Sequence, residues 1–125
     1  MRQFNFKPWG SFINILDENY TKVKQIVIKP GESPSYQYHH KRSEIWVIVQ
    51  GTAEVRLNDV TMIHGVGDII KIPTEAKHQP KNVGDDDLIF IEIQLGEYFG
   101  EDDIVRLEDK YGRVLSINHC EWVRF

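Results

Sequence analysis

Turn-forming residues interrupt this chain at short, regular intervals, and that punctuation restricts its fold more than any other feature. Pro30-Gly31, Gly51, Asn58-Asp59, Gly65-Val66-Gly67, Pro73 and Gly84-Asp85-Asp86-Asp87 divide it into short apolar runs. Ser11 to Leu16, Tyr20 to Ile28, Ile45 to Val49 and Thr52 to Leu57 read as strands. So do Val60 to Ile63, Asp68 to Ile72 and Leu88 to Leu95. Strands this short and this evenly spaced predict an all-β sandwich or barrel. One segment, Glu101 to Lys110, predicts a short helix. Its acidic start, Ile104/Leu107/Tyr111 spacing, terminal Lys110 and following Gly112 are all helix signals. That helix would pack across the outside or one mouth of the barrel. With 125 residues, the chain is expected to form a single domain, 1–125.

The 41% of hydrophobic residues suffices for a core, and a net charge of −4 argues against nucleic acid or an anionic membrane as partner. Cys120 is the single cysteine, so no internal disulfide can form, which fits a reducing compartment. No apolar run reaches the roughly 20 residues of a membrane span, and the first ten residues lack a signal-peptide core. A soluble cytoplasmic protein is expected.

The densest group of metal-ligand side chains lies between Lys29 and Gly51, in His39, His40 and Glu44. Alternation along an extended backbone puts Ser35, Gln37, His39 and Lys41 on one face, and Tyr36, Tyr38 and His40 on the other. A break at Arg42-Ser43 would bring Glu44 back to the His39 face, with Trp46 and Ile48 following. A second piece runs from Gly67 through Pro73 to His78 and Asn82, offering a strand, a turn, a histidine and an asparagine.

Together the two pieces resemble the paired motifs of the cupin superfamily: Glu44 and Gly51 keep the interval of the first, and Gly67, Pro73, His78 and Asn82 match the second. The resemblance implies a double-stranded β-helix, a jelly-roll barrel, here with the short C-terminal helix added. It also implies a divalent metal, Zn, Mn, Fe or Ni, on His39, Glu44 and His78, with a position open for substrate or water. His40 would be a fourth ligand only if a bulge turned it inward. The competing reading makes His39 and His78 hydrogen-bonded barrel histidines without metal. His64 and His119 have no expected role.

Residues 8–113 are similar to the C-terminal cupin domain of type II mannose-6-phosphate isomerases, usually fused behind a mannose-1-phosphate guanylyltransferase domain. Lys7-Pro8-Trp9-Gly10, Gln37-Tyr38-His39, Arg42-Ser43-Glu44, Trp46, Glu92-Ile93-Gln94 and the run from Gly96 to Arg113 carry this likeness. Lys41 and Ile45 stand where the family has histidines, and 114–125 lies outside the match. The resemblance implies aldose–ketose isomerisation of a sugar phosphate, mannose-6-phosphate to fructose-6-phosphate. In that scheme Glu92 or a metal-bound hydroxide is the base, and Arg106 or Lys41 holds the phosphate. Arg42 and Arg113 are further candidate phosphate contacts, and Gln37 and Gln94 candidate sugar contacts. Two alternatives stand beside it: a metal-free nucleotide-sugar isomerase or epimerase, and a non-catalytic sugar-binding cupin. A homodimer is expected, because barrel edge strands invite pairing.

Overall fold

The computed structural model describes residues 3–109. They form eleven strands in two antiparallel sheets, with no helix among the described residues. The strands are β1 (Phe4–Lys7), β2 (Gly10–Asp17), β3 (Thr21–Ile28), β4 (Tyr36–Tyr38), β5 (Arg42–Gln50) and β6 (Ala53–Leu57). Then follow β7 (Val60–His64), β8 (Ile69–Ile72), β9 (His78–Asn82), β10 (Leu88–Gly96) and β11 (Val105–Glu108). One sheet has the order β1-β2-β3-β10-β5-β8 and the other β11-β4-β9-β6-β7. The sequential neighbours β2/β3 and β6/β7 are hairpins, whereas β10 inserts between β3 and β5.

The strand register sorts the interior into layers. Phe90 of β10 sits between Ile26 and Ile48, and with Ile28, Val55, Ile70, Ile72 and Leu88 it fills the apolar half. Two residues along β10, Glu92 faces Lys24 and Trp46; two further, Gln94 faces Glu44. All these side chains are buried, so one period-two pattern turns from hydrocarbon to ionisable groups within a single strand. The polar half of the barrel is therefore held open on a rigid, close-packed base.

The helix predicted over Glu101–Lys110 does not form; its described part is a turn at 101–103 followed by β11. The reason lies in the partners its acidic residues find. Asp103 accepts hydrogen bonds from the backbone N–H of His40 at 3.1 Å and of Lys41 at 2.9 Å. Glu101 pairs with Lys24, and Tyr98 donates to Asp102. Beyond the turn, Val105 and Arg106 pair with Tyr38 and Gln37, closing the free edge of β4. Tertiary hydrogen bonding thus overrides a weak local preference. Lys110, Arg113 and the segment 114–125 lie outside the described residues.

The break before Glu44 falls earlier than expected, at His39–Lys41 instead of Arg42-Ser43. Asp103 takes two of its N–H groups, and His39 C=O accepts from Glu75 N–H at 2.8 Å. Gly96 closes the same corner at a φ of +147°, where a side chain would collide with the Lys41 carbonyl.

Candidate metal and ligand site

His39, Glu44 and His78 converge in the polar half of the barrel. One ligand atom from each lies within 4.8 Å of the others, and all three residues are buried. His39 comes from the loop after β4, Glu44 from β5 and His78 from the start of β9, three segments that meet only in the folded barrel. Glu44 is held on both oxygens. Arg42 Nε donates to Oε2 at 3.0 Å with Nη2 also 3.0 Å from that atom, and Trp46 Nε1 donates to Oε1 at 2.9 Å. The imidazoles stand against the same carboxylate at 3.7 Å for His39 Nδ1 and 3.8 Å for His78 Nε2.

The protonation pattern suits a metal. His78 Nδ1 lies 2.9 Å from the Ala76 carbonyl, which can only accept, so Nδ1 carries a proton and Nε2 is the nitrogen turned toward Glu44, 3.8 Å away. His39 Nε2 is buried without a hydrogen-bond partner. Burial holds His39 near about 4, against the weaker opposing pull of Glu44, so its ring is neutral at pH 7. Burial pushes Glu44 up, but His78, Arg42, His39 and the Trp46 N–H outweigh it and hold the carboxyl near about 2. Two imidazoles and one ionised, hydrogen-bonded carboxylate form a donor set that fits a divalent transition metal.

The triad opens into a cleft of about 90 Å³. Gln37, Arg42, Glu92 and Arg106 line it. Glu92 is pushed up to about 8 by burial and by Glu44, and accepts from Gln94 Nε2 at 2.7 Å. Gln94 is itself fully buried behind that contact.

Lys41 departs from expectation. It is exposed, its ammonium lies 5.4 Å from the Tyr98 ring centroid, and it does not line the cleft. With the strand broken at His39–Lys41, the inward place after His39 passes to Arg42. Ile45 points to the outer face of β5, between Ile93 and Lys71, where no ligand to the triad could stand. His40 is exposed, with Nδ1 3.0 Å from Glu75 Oε2, so no bulge turns it inward. Trp46 is core and second support of Glu44, and His64 pairs with Asp68 at the surface, 3.4 Å away.

Two cleft residues escaped the sequence reading. Lys24 is 5% exposed and sits 4.2 Å over the Phe12 ring, with Nζ 3.0 Å from Glu101 Oε2. Its period-two relation to the buried Ile26 and Ile28 was the available signal. Glu101 was read as a helix start.

The sequence matches the family described as Mannose-6-phosphate isomerase C-terminal over residues 1–109. The chain belongs to this family. It is 45% identical over 109 residues to Mannose-1-phosphate guanylyltransferase ManC of Salmonella typhimurium, covering 87% of this chain and 23% of that protein. It is 44% identical over 108 residues to Alginate biosynthesis protein AlgA of Pseudomonas aeruginosa, covering 86% and 22%. Over the same length it is 44% identical to Xanthan biosynthesis protein XanB of Xanthomonas campestris, covering 86% and 23%. The chain thus spans under a quarter of the length of each of these relatives.

The fold is likewise that of solved cupins. A double-stranded beta-helix protein from Klebsiella pneumoniae superposes with a TM-score of 0.68 at 22% identity, covering 77% of each chain. Capsular polysaccharide assembling protein CapF from Staphylococcus aureus gives 0.73 at 24%, covering 86% of this chain and 34% of that one.

Two of these relatives are named for polysaccharide biosynthesis, of xanthan and of alginate. The expected sugar-phosphate isomerase is corrected here: the activity that ManC is named for is mannose-1-phosphate guanylyl transfer. No helix among the described residues is long and apolar enough to cross a membrane.

Proposed function

We propose that this domain is a ligand-binding cupin that holds a small mannose phosphate beside a divalent metal, in the cytoplasm, serving polysaccharide precursor synthesis. The observation that carries the reading is the triad itself. His39 Nε2 is buried and unpartnered, and His78 turns Nε2 toward an ionised Glu44 at 3.8 Å. Burying such groups with nothing to bind is costly, and a divalent ion on His39, Glu44 and His78 would satisfy them together. When bound, that ion would supply a Lewis-acidic contact for a ligand oxygen.

The chain's own residues do the rest. Arg42 and Trp46 fix the Glu44 carboxylate, and the Ala76 carbonyl fixes the His78 tautomer. Gln37 offers an amide to sugar hydroxyls from the cleft wall, and Arg106 a cation to the phosphate. Glu92, protonated at neutral pH, can donate a hydrogen bond where an ionised acid could only accept.

Zinc-loaded protein titrated calorimetrically with mannose-1-phosphate, mannose-6-phosphate and mannose tests this. A mannose phosphate should bind with a Kd between micromolar and low millimolar, and His78→Ala should abolish zinc uptake. Failure of both phosphorylated sugars to bind at 10 mM (about 2.7 kcal/mol) would overturn the reading.

A further inference from the structure

Lys24 and Arg42 bring two cations from neighbouring regions of the barrel wall onto one oxygen atom. Glu101 Oε2 lies 3.0 Å from Lys24 Nζ and 3.5 Å from Arg42 Nη1. The two cations are 5% exposed, while the Glu101 side chain is 56% exposed. Arg42 Nη1 is buried and makes no hydrogen bond, because Nε and Nη2 are both committed to Glu44. A fixed, desolvated pair of positive groups is therefore capped by a carboxylate that comes from a turn and stands largely in water.

We infer that Lys24 and Arg42 form an anion subsite for the phosphate monoester of the ligand, and that Glu101 is the internal anion the phosphate displaces. This rests on the cleft being a sugar-phosphate site, and it names which groups take the phosphate and what opposes it. A phosphate offers three oxygens where the carboxylate places one between the cations, so it can give Arg42 Nη1 the acceptor it lacks while keeping Lys24 paired. The cleft wall carries Lys7, Lys24, Arg42 and Arg106 against Glu44, Glu92 and Glu101. Moving Glu101 outward leaves Glu44 as the ionised carboxylate of this wall and exposes the positive floor. The Phe12 ring beneath Lys24 keeps the ammonium in place during the exchange. Free phosphate and the phosphate of a sugar share this chemistry, and the test separates them.

The experiment titrates the full chain, after chelation so that no metal can report the anion, with inorganic phosphate, mannose-6-phosphate and mannose. Glu101→Gln removes the competing charge and keeps the side-chain shape. It should tighten both phosphate-bearing probes at least fivefold and leave mannose unchanged. Lys24→Met should weaken both by at least as much, with a thermal melt confirming that each variant is folded. Should Lys24→Met not fold, Glu101→Gln alone decides. Unchanged or weaker phosphate binding in Glu101→Gln, or none at millimolar concentration, overturns the subsite. Tighter inorganic phosphate without any sugar-phosphate binding supports the subsite, and the same absence of sugar-phosphate binding in zinc-loaded protein removes the function proposed above. Sugar-phosphate binding in the parent that ignores Glu101→Gln does the reverse.

Discussion

Arg42 and Glu44 stand two residues apart on the inward face of β5, and the guanidinium reaches one carboxylate oxygen from both Nε and Nη2 at 3.0 Å. Each side chain is almost wholly buried. Arg42 therefore positions a metal-ligand candidate, leaving the other oxygen to Trp46 and His78.

Removing one partner leaves the other charge buried and uncompensated. Arg42→Leu should destabilise the fold by about 3–5 kcal/mol, whereas the double change Arg42→Leu/Glu44→Leu should recover much of that loss. Urea unfolding of the parent, both single variants and the double variant gives the coupling energy. Additive effects would show that the pair does not act as a unit.

Lys41 gives a prediction of no effect. Its ammonium lies over Tyr98 outside the cleft, so Lys41→His should leave zinc affinity within about twofold, or about 0.4 kcal/mol. A chelator competition on the two proteins measures it, and a tenfold gain would mean the loop at His39–Lys41 brings position 41 inward.

Glu92 ties stability to pH. Its folded-state value of about 8 lies above its unfolded value of 4.5, so the native state holds a proton the unfolded chain releases between those limits. Its contribution is complete below pH 4.5 and is lost as pH rises to 8, at no more than about 1.4 kcal/mol per pH unit. His39 works oppositely: its value of about 4 against 6.5 adds stability as pH rises through that interval. The two slopes oppose each other below pH 6.5, and the decline from Glu92 stands alone above it. Glu92→Gln should flatten the chemical-denaturation profile between pH 6.5 and 8.

Tyr36 supplies a test at the far side of β4. Its hydroxyl donates to Asp59 Oδ1 at 2.7 Å and accepts from Asp59 N–H at 2.8 Å, fixing a turn residue at φ 69°. Tyr36→Phe should cost about 1–2 kcal/mol of stability and leave zinc uptake unchanged. Loss of zinc in a folded Tyr36→Phe protein would show that the β6–β7 turn supports the triad.

The strands and the three candidate ligands were legible because alternation and turn residues act locally. Thr52–Leu57 and Leu88–Leu95 announce both strand and facing without any knowledge of their neighbours. Lys41 and Glu101 were misread because what places them is not local. Asp103, distant in sequence, satisfies the backbone of His40 and Lys41 and so shifts the strand break. Lys24 drew no role from the sequence, because what buries it is distant in the chain: β10 sets Glu92 beside it and Glu101 covers it.

The insertion of β10 between β3 and β5 has a consequence for synthesis. While β3 to β9 leave the ribosome, the central seam that will hold Glu92 and Gln94 stays empty, and β4 keeps a bare edge until β11 arrives. Hairpins such as β2/β3 can form at once, but joining sheet partners so distant in the chain is slow. A nascent chain that has made all three of His39, Glu44 and His78 still lacks the wall behind them. A ligand of the cleft can therefore stabilise only a finished domain, and truncated translation products are left as open, β-rich surfaces for chaperones and proteases to find.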